Sequence, residues 1–148
     1  MKLLLCTTGL AILCSTLMSQ AQEPRPAATT NLTSAIHDWE KMTVTPTANG
    51  VRRAVFDGPT TTVDKLHCHI TTLNPGANSG EPRRHLQEEV IIIKEGTVEA
   101  TVHGLTQTAG PGSVIFFAAN AVTRLRNVGD TPATYTVVYY FTPLTPRN

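Results

Sequence analysis

Residues 82–96 read PRRHLQEEVIIIKEG, and this stretch contains the features that predict the fold. The four consecutive β-branched residues at 90–93 predict a strand that is buried on both faces. Just before this strand, His85 and Glu89 would lie ~13 Å apart on a straight chain, at ~3.3 Å per residue. We therefore expect the chain to turn between them, so that both side chains reach one interior.

Short apolar runs between turn-forming residues continue along most of the chain. Turn formers such as Asn74-Pro75-Gly76 separate runs that are rich in β-branched and aromatic residues. Seven short strands at this spacing predict an all-β sandwich or barrel, with no room for crossover helices. A short helical turn is predicted at residues 34–41, capped by Ser34, with Ile36 and Trp39 facing the body. Strands are expected at residues 51–56, 66–73, 90–94, 97–103, 114–117, 123–127 and 133–141.

The first 21 residues have the pattern of a secretory signal peptide. Met1-Lys2 gives a short positive start, an apolar run follows, and Ser19-Gln20-Ala21 offers small residues for cleavage after Ala21. The run is shorter than the ~20 apolar residues of a transmembrane helix, so we expect no membrane span. The prediction is a secreted or periplasmic protein with three parts: signal peptide 1–21, N-terminal extension 22–50 and barrel 51–148.

Charge and cysteine content narrow the function of the exported chain. The full sequence has 12 basic and 11 acidic residues, and loss of the signal peptide removes Lys2, so the two signs balance. A balanced chain is not expected to bind nucleic acid through bulk charge. Cys6 and Cys14 leave with the signal peptide, which leaves Cys68 without a partner for an intrachain disulfide. Stability must therefore come from an apolar core.

In the order and spacing of two motifs, the sequence resembles the cupin family, and the resemblance covers most of the chain that follows the signal peptide. His85 stands at the second histidine of the first motif, Glu89 at its glutamate and Gly96 at its turn glycine. Residues 110–117, GPGSVIFF, match the second motif. The resemblance implies a cupin-type jelly roll, or double-stranded β-helix, of six to eight main strands. A short helical or extended N-terminal segment would pack outside it.

The metal ligands that the resemblance implies are only half present. Arg83 stands where the first motif has its first histidine, and Thr123 stands at the histidine of the second motif. Arginine stays protonated and cannot coordinate a metal. Asn120 also replaces a common glycine. Of the usual three histidines and one glutamate, only His85 and Glu89 remain.

One interpretation of this incomplete site is a small-molecule pocket, with no metal. The lumen would bind its ligand through Arg83, His85, Glu89 and Thr123. A guanidinium beside Glu89 would form a charge-assisted pair and could hold the carboxylate of a small acidic ligand.

Two further interpretations stay open. His67 and His69 alternate on one strand, so both point to the same face. Together with His85 and Glu89 they could bind one divalent Fe, Mn, Ni or Zn ion, as in the family's oxygenases and isomerases. Alternatively, the barrel is a structural, envelope-associated protein without a ligand. The apolar stretch of the last strand, residues 135–141, suggests a homodimer in either case.

Overall fold

The structure is a computed structural model that describes residues 30–102 and 104–146. The predicted signal peptide, residues 22–29 of the predicted extension, His103 and residues 147–148 lie outside the described part. No helix within the described part is long and apolar enough to cross a membrane.

Two antiparallel sheets face each other, which confirms the predicted all-β barrel. The six-stranded sheet has the order β1-β2-β3-β10-β5-β8, and the four-stranded sheet has the order β4-β9-β6-β7. The strands are β1 (Val44–Thr47), β2 (Gly50–Gly58), β3 (Lys65–Leu73), β4 (Arg83–Arg84), β5 (Glu89–Glu95), β6 (Val98–Val102), β7 (Leu105–Ala109), β8 (Val114–Phe117), β9 (Val122–Asn127) and β10 (Ala133–Phe141).

Three of these strands were not among the seven predicted. β4 is only two residues long, β7 is polar and mostly exposed, and β1 contains Pro46. None of the three has the alternating apolar pattern by which strands are recognised in a sequence. β1 pairs with β2, so the six-stranded sheet includes residues of the predicted N-terminal extension 22–50.

The prediction that residues 90–93 are buried on both faces is wrong. Ile91 and Ile93 point into the barrel and are buried, whereas Ile92 points outward and is 44% exposed. In the described N-terminal segment, Trp39 contacts Arg53 and Lys94 on the outer face, and Ile92 stays open to solvent. An antiparallel sheet can face solvent on one side, and here it does so with apolar residues.

The N-terminal segment packs on the outer face, but not as the predicted helix. Only Trp39–Lys41 forms a 3-10 helix, and its N-cap is Asp38, whose Oδ1 accepts from Glu40 N at 3.0 Å. Ile36 is 97% exposed, so it does not face the body. Trp39 lies between two cations of the outer face, with Arg53 Cζ 4.1 Å and Lys94 Nζ 3.9 Å from its ring centroid.

Cross-strand pairing arranges the interior into layers that change from apolar to polar. At one end, Leu73 pairs with Ala133, and Val98 pairs with the fully buried Asn127. Asn127 closes this end, because its Nδ2 donates to Leu73 O at 3.1 Å and to Thr131 O at 2.8 Å. The interior at this end is packed, and the space available for a ligand lies farther along the strands.

At the other end the layers carry polar side chains. One layer contains His67, Tyr139, Glu89 and Phe117, which pair successively across β3, β10, β5 and β8. The adjacent layer contains His69, Val137 and Ile91 in the same order. Residues that pair directly in antiparallel strands project to the same face of the sheet, so this register brings the predicted site residues into the lumen.

Two turns fix the ends of the site strands. Gly96, the turn glycine of the first motif, has φ +76°, and a Cβ there would lie 2.7 Å from Ala133 Cα. Only glycine fits this close approach. Asn120 replaces the family's common glycine and adopts φ +63°, a conformation that asparagine tolerates better than most residues.

Candidate functional site

A cavity of about 390 Å³ opens between the two sheets at the polar end of the barrel. Its apolar lining comes from the inner layers, for example Ile91, Phe117 and Leu125. Charged groups of both signs line it, with arginines in slight excess: Arg52, Arg83 and Arg124 against Glu81 and Glu89. The neutral polar lining includes His69, Thr71, Gln87, Thr123, Tyr135 and Tyr139, and His85 lies beside Arg83.

The residues predicted from the first motif form one cluster, which we call the Arg83 cluster: Arg83, His85 and Glu89. Arg83 Nε donates to His85 Nε2 at 3.0 Å, and His85 Nδ1 lies 3.5 Å from Glu89 Oε1. The chain therefore turns between His85 and Glu89, as their spacing requires. Thr123 is buried and pairs with Arg83 across β4 and β9, so the two family-ligand positions that carry other residues are neighbours here.

The turn before β9 holds the Arg83 cluster in place. Asn120 N donates to His85 O at 2.7 Å, and Arg84 NH1 donates to Asn120 O at 2.6 Å. The two motifs are thus joined through the left-handed residue Asn120. Its backbone conformation positions the strand pair that carries Arg83 and Thr123.

Burial and the charge of Arg83 shift the pKa of Glu89 in opposite directions. Both lower the pKa of His85. Desolvation raises the pKa of Glu89, and the positive charge of Arg83 and a hydrogen bond from Gln87 only partly oppose this. Desolvation lowers the pKa of His85, and Arg83 lowers it further. His85 is therefore neutral at pH 7, with the Nε2 lone pair accepting from Arg83, and its Nδ1 lies 3.5 Å from both Glu89 Oε1 and the side-chain amide of Gln87.

A second cluster, the His67 cluster, lies across β2 and β3 and consists of Asp57, His67, Arg52 and His69. His67 Nδ1 donates to Asp57 Oδ1 at 2.9 Å, and Arg52 NH2 donates to His67 Nε2 at 2.9 Å. His67 Nε2 also lies 3.0 Å from His69 Nδ1. The Tyr139 ring stacks on His67 with centroids 4.4 Å apart and planes inclined by 14°.

A β-bulge makes the His67 cluster possible. Arg52 and Asp57 are five residues apart, so on a regular strand they would point to opposite faces. The register of β2 against β3 shifts between Ala54 and Phe56, which gives one strand an extra residue. Both Arg52 and Asp57 then project to the inner side of the sheet. Sequence reasoning missed both residues, because nothing in the local pattern marks the bulge.

Two members of this cluster, Arg52 and His69, line the cavity. Desolvation lowers the pKa of His69 to about 3, with further lowering by the charges of Arg52 and Arg83. On Asp57, desolvation acts to raise the pKa, but the hydrogen bonds from His67 and Lys65 and the charge of Lys65 outweigh it, and the pKa lies below its usual value. His69 is thus a neutral imidazole that shares the cavity with Arg52 and Arg83.

The predicted metal donors do not fit a divalent ion in this arrangement. Arg83 occupies the Nε2 lone pair of His85, while Arg52 and His69 occupy that of His67. The Tyr139 ring stacks on His67 and pairs in register between His67 and Glu89. Within residues 30–102 and 104–146, no three His, Cys, Asp or Glu side chains are grouped closely enough to hold a metal ion. We therefore derive no chemistry through a metal.

Two facing antiparallel sheets around a lumen, with polar clusters at the open end, define a barrel of the cupin type. The family model described as "Cupin domain" matches residues 69–139. The chain therefore contains a cupin domain. No curated protein matches its sequence.

Solved structures agree on the fold. KdgF from Halomonas sp. superposes with a TM-score of 0.64 at 14% identity, over 78% of this chain and 97% of that chain. An RmlC-like cupin from Shewanella frigidimarina has a TM-score of 0.62 at 15% identity, over 76% and 95%. A cupin superfamily sugar phosphate isomerase from Silicibacter pomeroyi has a TM-score of 0.52 at 26% identity, over 62% and 60%.

Proposed function

We propose that the barrel binds a small organic anion, with Arg83 as the group that holds its carboxylate. The observation that carries this proposal is the state of the lumen arginines. Arg83 and Arg52 donate to neutral imidazoles, and the ion pairs within 4.0 Å among the described side chains all use lysine or histidine as the cation. Among the described residues, the three guanidinium groups that line the cavity, those of Arg52, Arg83 and Arg124, thus have no carboxylate partner in direct contact.

The chemistry of arginine supports an anion as the ligand. A guanidinium presents five donors in a planar fork that matches a carboxylate, and Arg83 uses only Nε toward His85. A charge-assisted hydrogen bond contributes about 1.5–3 kcal/mol. Apolar lining residues such as Ile91 and Phe117 would cover the carbon skeleton of the ligand.

The remaining predicted site residues complete the pocket. The Nε2 atom of His85 accepts a hydrogen bond from Arg83 and thereby orients the guanidinium group. Thr123 offers a hydroxyl next to Arg83, and Glu89 offers a buried acceptor. The similar Silicibacter pomeroyi protein is described as a sugar phosphate isomerase, and a sugar phosphate is also an anion.

Thermal stabilisation tests the proposal. Wild-type protein is heated with succinate, citrate or hexanoate, and a binding anion should raise the melting temperature because it binds only the folded state. Arg83→Gln should abolish the shift. Arg126→Gln is the matched control, because Arg126 is exposed on β9 and does not line the cavity. If the anion raises the melting temperature of both variants equally, Arg83 is not part of the binding site.

We also propose that the protein is exported, as the sequence of residues 1–21 predicts. The measurement is the intact mass of the protein recovered from its native host. A chain that begins at Gln22 is expected, and a chain that retains residues 1–21 would contradict export by this signal.

A homodimer is a further proposal, supported by the outer face of the six-stranded sheet. Val114, Phe116 and Ile92 are exposed there, and β8 is the last strand of the sheet. Two copies related by a twofold axis could pair β8 with β8 and cover both apolar patches. Sedimentation should show a dimer that Phe116→Lys dissociates. A monomeric wild-type protein at high concentration would overturn this proposal.

A further inference from the structure

We propose that His69 presents an unprotonated Nε2 to the cavity as a hydrogen-bond acceptor, so that the anion bound here also carries hydroxyl groups. This inference rests on the proposed anion-binding function and names the ligand class: a hydroxylated carboxylic acid. It assigns a positioning role to Asp57 and His67, which lie outside the family motifs.

The hydrogen positions follow from which partners can only donate or only accept. The ionised Asp57 carboxylate only accepts, so His67 Nδ1 carries the proton of their 2.9 Å contact. The Arg52 guanidinium only donates, so His67 Nε2 carries a lone pair. His67 is thereby fixed in one tautomer from both sides.

The same logic then fixes His69. Because His67 Nε2 has no proton, the 3.0 Å contact requires His69 Nδ1 to donate to it. A neutral imidazole has only one N–H, so Nε2 of His69 is an acceptor. Within the described part of the chain, Nε2 of His69 has no hydrogen-bond partner, and the ring lines the cavity.

The position of His69 relative to the arginines defines what a ligand must offer. Arg52 and Arg83 line the same cavity as His69 and both act electrostatically on it, so the acceptor shares the cavity with two cations that would hold an anion. A carboxylate bound to a guanidinium group only accepts hydrogen bonds, so it has no N–H or O–H to donate to His69 Nε2. The adjacent part of the ligand must therefore bring a donor, and Thr71, in the next layer, offers a second hydroxyl partner.

Imidazole nitrogen-15 spectra read the tautomer directly and need no ligand. The expected spectrum of the wild-type protein shows His69 protonated at Nδ1 and unprotonated at Nε2. His67→Phe keeps a ring that can stack on Tyr139 but removes the acceptor, so His69 should lose this preference. A wild-type His69 that is protonated at Nε2 would overturn the inference.

Calorimetry with three six-carbon probes tests the ligand class: gluconate has a carboxylate and hydroxyls, hexanoate only the carboxylate, and sorbitol only the hydroxyls. Gluconate should bind tightest. His69→Asn keeps a donor near the Nδ1 position and removes the cavity acceptor, so it should weaken gluconate about tenfold and leave hexanoate unchanged. His37→Asn, the same change at an exposed histidine, should alter neither.

The possible outcomes distinguish a failure of this inference from a failure of the proposed anion-binding function. If neither acid binds, the anion-binding function fails, and the spectrum still decides the His69 tautomer. If hexanoate binds as tightly as gluconate, the anion-binding function stands and the hydroxyl requirement is overturned. A loss of both acids in His69→Asn would show a structural effect of His69 and would likewise overturn the inference.

Discussion

The Arg83 cluster and the His67 cluster contain the same three groups in the same order. In each, an arginine donates to a histidine Nε2 and a carboxylate faces the histidine Nδ1. The two clusters differ in the lengths of these contacts. The contacts of His67 are both 2.9 Å, whereas those of His85 are 3.0 Å to Arg83 and 3.5 Å to Glu89.

The histidine with the shorter contacts, His67, is also the more buried of the two. The side chain of His67 is 10% exposed and is stacked on Tyr139, whereas that of His85 is 24% exposed. The polar atoms of His67 are fully used within the protein, so the His67 cluster is a support. The Arg83 cluster has spare donors and a cavity in front of it, so a ligand can complete it. Identical chemical groups therefore serve stability in one place and binding in the other.

Alanine substitution of the two histidines should show the largest difference between the clusters. His67→Ala removes a stacked ring and leaves the Nδ1–H of His69 without its acceptor, which should lower the free energy of unfolding by about 3 kcal/mol. His85→Ala should lower it by only about 1 kcal/mol. Urea denaturation measures both, and equal losses would refute the division into support and binding cluster.

Introducing a metal site into the Arg83 cluster should distinguish it further from the His67 cluster, with a somewhat smaller effect on stability. Arg83→His with Thr123→His places two imidazoles at paired positions beside His85 and Glu89 and frees the Nε2 lone pair of His85. Near-stoichiometric zinc or nickel is expected by elemental analysis. At a metal concentration of about 100 times Kd, the added stability is about 2.7 kcal/mol.

The control for that double variant is the next pair in register. Arg84→His with Val122→His places two imidazoles at positions that are also paired but do not line the cavity. This control should bind no stoichiometric metal. If both double variants bind metal equally, the lumen position of Arg83 and Thr123 would be in doubt.

The last expected effect is a change in the slope of stability against pH, rather than a loss of stability at one pH. The pKa of His69 is lowered to about 3 in the folded protein from 6.5. Between these values the unfolded chain binds a proton that the folded chain does not, so stability falls as pH falls from about 6.5 toward 3. The raised pKa of Glu89 acts with the opposite sign, since folding then favours the protonated carboxyl.

His69→Asn isolates the histidine contribution, because Glu89 is present in both proteins. Its stability should decline less steeply than that of the wild type between pH 6.5 and 4. Urea midpoints at successive pH values measure the two slopes. Parallel curves would show that His69 is not held neutral by burial and the neighbouring arginines.

The sequence predicted one of the two clusters and not the other, for a physical reason. His85, Glu89 and the neighbours Arg83 and Thr123 lie in motifs whose spacing specifies a turn and a register. The His67 cluster depends on a β-bulge that brings Arg52 and Asp57 to one face. A bulge is set by tertiary pairing rather than by the local pattern of residues, so His67 and His69 were recognised without their partners.

The outer face shows a second limit of sequence reasoning. An apolar run at residues 90–93 predicts burial on both faces only if another layer covers the strand. In this chain the N-terminal segment covers the sheet near Arg53 and Lys94, and Ile92 stays exposed. Which part of a sheet a flanking segment covers depends on the path of that segment, which the pattern of the strand does not contain.

The central claim is that Arg83 holds the negative charge of a small ligand in the lumen. Calorimetry with hexanoate and its neutral counterpart hexanamide, on wild-type protein and Arg83→Gln, tests it most directly. The wild type should bind hexanoate at least tenfold more tightly than hexanamide, and Arg83→Gln should remove that preference. Equal affinity of the wild type for both compounds, or a preference that survives in Arg83→Gln, would contradict it.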